Sequence, residues 1–302
     1  MSDGVVAGLD LGGTKAHLRA VDDASGEILL DEVLPNQGWA RLDDTARAQE
    51  LIRLASARLA PLGPASVVAG VHGSDTEQQQ LLLAEALRTV IPVAEVVNDA
   101  GLVLPAAGVS RGTGVIAGTG SCAASVDAAG RPFTVGGWGW VLGDEGGAAG
   151  IVRDACRAVL AAWDEAEDDL LTGMLLKAID ADHPHSLGYL LASTEPVAWA
   201  ANASIVFDAA ARGSRRAAGV IADHVAALVR LLGVAGRRGG HLGVVVVAGG
   251  VFAAQDRYFE AFANRVREAY GTATTVSRLE LPPVEGALHL ARSLLEPAQG
   301  GR

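Results

Sequence analysis

Apolar residues in this chain fall into two kinds of run. Short continuous ones, bounded by glycine or by charge, read as buried strands at 16–21, 67–71, 93–97, 114–117 and 244–248, with another ending at Leu11. Longer stretches with apolar positions three or four apart read as helices. Asp43 or Asp44 caps one whose Ala48, Ile52, Ala55 and Leu59 share a face, and Pro61 to Pro64 ends it. A second helix covers about 77–90, and the alternation predicts parallel crossovers and an α/β fold. The second half opens near Gly112 with its own hairpins and then turns mostly helical, at 148–162, 168–179, 196–211 and 214–232. A final helix at roughly 284–295 follows Pro282 and Pro283.

Two glycine turns interrupt the strands. Gly12, Gly13, Thr14 and Lys15 follow the first, and Gly118, Thr119, Gly120 and Ser121 follow the strand at 114–117. Glycine allows bare backbone N–H groups to face an anion that a Cβ would keep away, so each turn suits a phosphate. Gly12 aligns with Gly118 and Val21 with Val126 to within one residue, which predicts two related halves, each with one phosphate-gripping hairpin.

Carboxylates stand at telling places. Asp10 lies between Leu9 and Leu11, where burial is costly unless the group is hydrogen-bonded or meets a cation; a Mg²⁺ ligand fits better than a structural role. The strand at 93–97 ends in Asn98 and Asp99, placing Asp99 where catalytic groups are often found, or as a helix cap. Gly136, Gly137, Trp138 and Gly139, with Gly143, Asp144 and Glu145, combine backbone, indole and carboxylate as a polyhydroxylated ligand requires. Trp138 also reads as core, and Asp144 and Glu145 as compensation for the dipole of the helix at 148. Gly249 and Gly250, beyond the strand at 244–248, leave space for a flat adenine. Asn36, between Pro35 and Trp39, is a solvated turn residue or a sugar contact.

Six segments, D-L-G-G-T-K at 10–15, N-D-A at 98–100, G-T-G-S at 118–121, G-G-W-G at 136–139, G-D-E-G at 143–146 and A-G-G-V-F at 248–252, occur in an order that resembles the actin, Hsp70 and sugar-kinase superfamily. Within it the chain resembles the N-acetylglucosamine kinase and BadF/BadG/BcrA/BcrD ATPase group over nearly its whole length. The resemblance implies two ribonuclease H-like, actin-like ATPase domains flanking an ATP-binding cleft, at 1–111 and 112–283, with a helix at 284–298 packing back on the first. It implies ATP and Mg²⁺ as cofactors, Asp10 at the metal, and phosphate contacts from Gly12, Gly13, Thr14, Lys15, Gly118, Thr119, Gly120 and Ser121. Gly249 and Gly250 would meet adenosine. A hexose or amino sugar held by Asn36, Asp99, Gly137, Trp138 and Asp144 would be phosphorylated, on its 6-hydroxyl by the resemblance, with Asp99 as catalytic base. A homodimer is implied by the resemblance alone. In N-acetylglucosamine kinases an Asn follows the G-T-G-S turn; here Cys122 stands there, and a thiol is a poor hydrogen-bond partner, which leaves the acceptor sugar open.

Composition bounds the alternatives. The 302 residues, 50% hydrophobic with mean hydropathy +0.28, fill a sizeable core. A formal charge of −11 and a pI near 5.1 argue against a nucleic-acid partner. Two cysteines fit a reducing cytoplasm, and neither a leader nor an apolar run of membrane-spanning length is expected. A BadF-type activator, with an iron–sulfur cluster shared through Cys122 and Cys156, and a non-catalytic sugar-binding regulator are the competing readings. Neither cysteine has a neighbouring cysteine, and no helix-turn-helix extension is expected ahead of the first strand. His72, His183, His185, His224 and His241 lack ligand spacing and read as ordinary, and Arg212, Arg215 and Arg216 read as a solvated helix start.

Overall fold

The computed structural model describes residues 4–36 and 38–296, so Gln37 of the turn at 35–39 and positions 297–298 of the expected last helix lie outside the described residues. The chain forms two compact units: one contains the residues up to Arg111 and those from Leu279 onward, the other Gly112–Arg278.

In the first unit, β1 (Val5–Leu11), β2 (Lys15–Asp22) and β3 (Ile28–Pro35) form an antiparallel meander. After α1 (Asp44–Leu54), β4 (Ser66–Val71) returns parallel to β1; after α2 (Glu77–Arg88), β5 (Ala94–Asn98) returns parallel to β4. The sheet order is β3-β2-β1-β4-β5. A short α3 (Val103–Ala106) follows. β4 is buried at every position, as expected of a central strand covered on both faces. One face packs Leu9, Leu11, Leu18, Val67 and Val71 against Leu51, Leu54 and Leu59, and the other packs Val6, Val21 and Val68 against Leu102, Ala287, Leu288 and Ala291.

The second unit repeats the plan. β6 (Thr113–Ala117), β7 (Ser121–Val126) and β8 (Pro132–Gly136) make the meander. Helices α4 (Ala148–Asp164), α5 (Leu170–Ala178), α6 (His185–Ser193), α7 (Pro196–Ala200), α8 (Ala203–Ala211) and α9 (Arg215–Arg237) follow. Strand β9 (Val244–Ala248) adds parallel to β6; after α10 (Gly250–Ala254) and α11 (Asp256–Tyr270), β10 (Thr275–Arg278) adds parallel to β9. Read from β8, the order β8-β7-β6-β9-β10 matches β3-β2-β1-β4-β5 strand for strand. The internal similarity around Gly12 and Gly118 is therefore one topology used twice, and each half has the ribonuclease H-like form. Helix α12 (Val284–Ser293) then packs on β1, β4 and α3 of the first unit.

Several elements depart from the sequence reading. α1 is capped by Asp43, whose Oδ1 accepts from the Ala46 N–H at 2.8 Å, but its core face is Leu51, Leu54, Ala55 and Leu59, with Ala48 and Ile52 half-buried. Two leucines bury more apolar area than Ala48, so the helix turns them to the sheet. The helix expected at 196–211 breaks at Ala201 and Asn202, where Trp199 is buried with its Nε1 donating to Thr194 Oγ1 at 2.7 Å. α9 is, by length and composition, apolar enough to cross a membrane, contrary to the expectation that no such stretch exists. Charged residues break its apolar run in sequence; in the fold its Val220, Val225, Leu228 and Leu232 belong to the second unit's core.

Candidate active site

In the first unit three parallel strands deliver their carboxyl ends to one edge of the sheet. β1 brings Asp10, β4 ends before His72, and β5 ends before Asp99. Between β1 and β2 the chain turns tightly, with the Gly12 N–H donating to Lys15 O at 3.0 Å. Asn36 fastens this turn: its N–H donates to Thr14 O at 2.9 Å and its Nδ2 to Gly12 O at 2.7 Å. Asn36 is buried, and its amide spends a donor on the hairpin, an assignment that its sequence position did not reveal. Lys15 is exposed at the start of β2.

Asp10 is 9% exposed. Burial first, and the nearby Asp99 charge second, push its carboxyl up to about 7 against the opposing pull of Lys15. Asp99 opens a 3₁₀ turn, and the N-cap of that turn is Asn98, whose Oδ1 accepts from the Ala100 N–H at 3.0 Å. Asp99 Oδ1 takes the same N–H at 3.0 Å, and its Oδ2 stands 3.5 Å from Nδ1 of His72.

In the second unit three of the four glycine motifs meet. A Cβ on Gly147 would stand 2.5 Å from the carbonyl carbon of Gly120, and one on Gly249, at φ +100°, would stand 2.4 Å from Ala117 O. Backbone thus packs directly on backbone at both places, which only glycine allows. The N–H groups of Ala148 and Ala149, in the first turn of α4, donate to the carbonyls of Gly118 and Thr119 at 2.9 and 3.0 Å. The positive end of that 17-residue helix therefore abuts the G-T-G-S turn, a favourable setting for an anion.

The Asp144 carboxylate lies over Gly120, where Oδ2 would be 2.4 Å from a Cβ. Asp144 has φ +61° and stands in the turn before α4, whose N-cap is Gly147. Trp138 is 75% exposed, which removes the core reading, and Gly137 follows the β8 end with its N–H donating to Ser121 O at 3.0 Å. Cys122 pairs with Gly136 across β7 and β8, and a Cβ on Gly137 would sit 3.5 Å from that of Cys122. Position 122 therefore borders the G-G-W-G turn.

Two histidines dismissed by spacing are placed at these motifs, His72 beside Asp99 in the first unit and His224 at the G-D-E-G loop in the second. His224 is 2% exposed and reaches the G-D-E-G loop from α9. Asp154 lies 3.1 Å from its Nε2; although burial pushes the Asp154 carboxyl up, hydrogen bonds from Arg153 and His224 outweigh that and hold it well below the usual carboxylate range. Arg153 in turn donates to Gly143 O at 3.0 Å and to Trp140 O. No local sequence signal links α4, α9 and this loop, because the contact spans residues 143 to 224.

Among solved structures, the chain matches a candidate N-acetylglucosamine kinase from Chromobacterium violaceum at 20% identity and TM-score 0.73, covering 97% of this chain and 99% of that one. It matches a ROK family glucokinase from Streptomyces griseus, solved with glucose and AMPPNP, at 17% identity and TM-score 0.56 over 96% and 100% of the two chains. These likenesses show the fold. A curated relative, the N-acetylmuramic acid/N-acetylglucosamine kinase of Clostridium acetobutylicum, is 28% identical over 202 residues. That match covers 62% of this chain and 64% of the relative's length. Two copies of one topology, each with a glycine turn between its first two strands, agree with a family match that runs through both halves: with residues 7–291 matched, the chain belongs to the BadF/BadG/BcrA/BcrD ATPase family.

Proposed function

We propose that this protein is an ATP-dependent sugar kinase that transfers the γ-phosphoryl group to a hydroxyl of a hexose or amino sugar, with the 6-hydroxyl the expected acceptor. The observation that carries the reading is the placement of Asp10 and the G-G-T-K turn at the carboxyl end of β1 and of Asp99 at the carboxyl end of β5, the two strands that flank β4 in one sheet. The likeness to proteins described as N-acetylglucosamine kinases and the family match support it.

Asp99 accepts a hydrogen bond from the sugar hydroxyl and orients its oxygen. That oxygen bonds to the γ-phosphorus as the bridge to ADP breaks, and its proton passes to the Asp99 carboxylate. Backbone N–H groups of the two glycine turns hold phosphate oxygens, except those of Gly12 and Gly118, which donate to Lys15 O and Gly120 O within the turns themselves. Gly250, where a Cβ would meet nothing within 4 Å, leaves space for adenosine, whereas the bare side of Gly249 is taken up by its packing on Ala117; Asn36, Gly137, Trp138 and Asp144 border the sugar. A buried carboxyl raised to about 7 beside a phosphate turn fits a cation, so Asp10 is the residue that would hold Mg²⁺, directly or through water. When bound, Mg²⁺ neutralises phosphate charge.

The activator reading finds less support, since Cys156 is 2% exposed within the core and burial pushes its thiol up to about 12. Cluster ligation needs an accessible thiolate. The deciding experiment is ADP release with Mg·ATP over glucose, glucosamine, N-acetylglucosamine, mannose and N-acetylmannosamine. Sugar-stimulated release is expected; none with any sugar, together with bound iron, would replace the kinase by the activator.

A further inference from the structure

His72 is half-exposed, 46% at its side chain, yet its backbone is held from two directions. Its N–H donates to Leu11 O at 2.8 Å, and its carbonyl accepts from Nε1 of the buried Trp39 at 2.9 Å. The next residue, Gly73, takes φ +77°, and its carbonyl accepts from Arg47 at 2.9 Å. The ring is therefore aimed by a fixed backbone. One edge presents Nδ1 to Asp99 Oδ2 at 3.5 Å, and the other lies along the phosphate turn, where a Cβ on Gly13 would be 3.4 Å from both Cδ2 and Nε2. A single imidazole thus touches both the candidate acceptor-side carboxylate and the first hairpin.

Charge gives that bridge a reason. Asp10 and Asp99 are close enough for the second to raise the pKa of the first, and two carboxylates facing a polyphosphate are unfavourable without a nearby cation. The groups around His72 are Asp99 from the turn after β5, Asp75 from the turn before α2, Arg47 from α1, and the β1–β2 hairpin that carries Asp10 and Lys15. The Asp99 carboxylate beside the ring is the main cause that raises the imidazole above its ordinary value, against burial and Arg47.

We propose that His72 is a positioning residue for phosphoryl transfer: its imidazolium holds the Asp99 carboxylate through Nδ1–H and turns Nε2–H toward the phosphate turn at Gly13. The base and the phosphate turn are then fixed to one another by one ring. The inference rests on Asp99 serving the acceptor hydroxyl. The pairing is present below the raised pKa of His72 and is lost as pH rises through it, so kcat falls on the alkaline side.

The test compares wild type, His72→Gln and His72→Phe, each first checked for a cooperative melt. Gln keeps a donor without the charge; kcat should fall roughly 10-fold or more, and the alkaline limb of the kcat profile should disappear. An independent readout is the NMR titration of the His72 ring, which should move down toward the ordinary imidazole value in Asp99→Asn. An alkaline limb retained in His72→Gln, or a ring titration unmoved by Asp99→Asn, overturns the proposal. Absence of sugar-stimulated ADP release from wild type instead sinks the kinase reading, which separates the two failures.

Discussion

Nδ1 of His224 accepts a hydrogen bond from the backbone N–H of Gly146 at 2.6 Å. An accepting Nδ1 carries no proton, so the proton of this ring is on Nε2, facing Asp154 Oδ2. Together with Arg153 on Gly143 and Trp140, the ring fixes both ends of the segment that holds Asp144 at φ +61° over Gly120.

Replacing His224 by Phe keeps the bulk but leaves the Gly146 N–H and the Asp154 carboxylate without this partner. The expected cost is about 1–3 kcal/mol of stability. If Asp144 borders the sugar, kcat/KM for the acceptor should fall while KM for Mg·ATP changes less. Thermal melts and initial rates with each substrate varied check both, and equal losses for both substrates would mean that the loop serves the fold alone.

Asp99→Asn keeps size and shape but removes the proton acceptor. A drop in kcat of roughly 10²-fold or more is expected, with ATP affinity nearly unchanged. A variant with full turnover would show that Asp99 only caps its turn.

Asp10 makes stability without metal depend on pH in a defined direction. Its carboxyl rises from 3.8 unfolded to about 7 folded, so between those values the folded state holds a proton that the unfolded chain has released. Stability is therefore highest below the unfolded value and is lost as pH rises to about 7, by an amount on the order of a few kcal/mol. Asp10→Asn should remove that part of the slope, raise the melting temperature at pH ~8 in chelator, given the cost of a buried charge, and abolish Mg·ATP turnover. Melting curves across pH with and without Mg·ATP test this; identical slopes in wild type and variant would refute it.

Cys122 sits beside the G-G-W-G turn and should act on the sugar and not on the nucleotide. An amide replaced by a thiol loses about one neutral hydrogen bond, roughly 0.5–1.5 kcal/mol. Glucosamine or another hexose should therefore react at least as well as N-acetylglucosamine, and Cys122→Asn should shift relative kcat/KM toward the N-acetylated sugar by a few-fold to about tenfold. A strong wild-type preference for N-acetylglucosamine that the substitution leaves alone would contradict this reading.

What the sequence determined by itself was local. A glycine turn after an apolar strand, a carboxylate inside or just beyond one, and the recurrence of that pattern in the second half are legible because each is encoded within a dozen residues, and they sufficed for the α/β fold and the family. α11 was equally legible in principle, since Tyr258, Phe262 and Val266 recur every fourth position. Its strongly charged intervening residues hid it. The edge strand β3 has no fully buried residue, and β10 is only four residues long, so neither shows a clear apolar run. Tertiary structure alone decided which side chains reach those local motifs. His72 meets Asp99 because β4 and β5 lie side by side, Asn36 fastens Gly12 because β2 pairs with β3, and His224 meets Gly146 across α4 and α9. Hydrogen bonds of this kind depend on angstrom-scale packing between elements far apart in the chain, and periodicity carries no record of it.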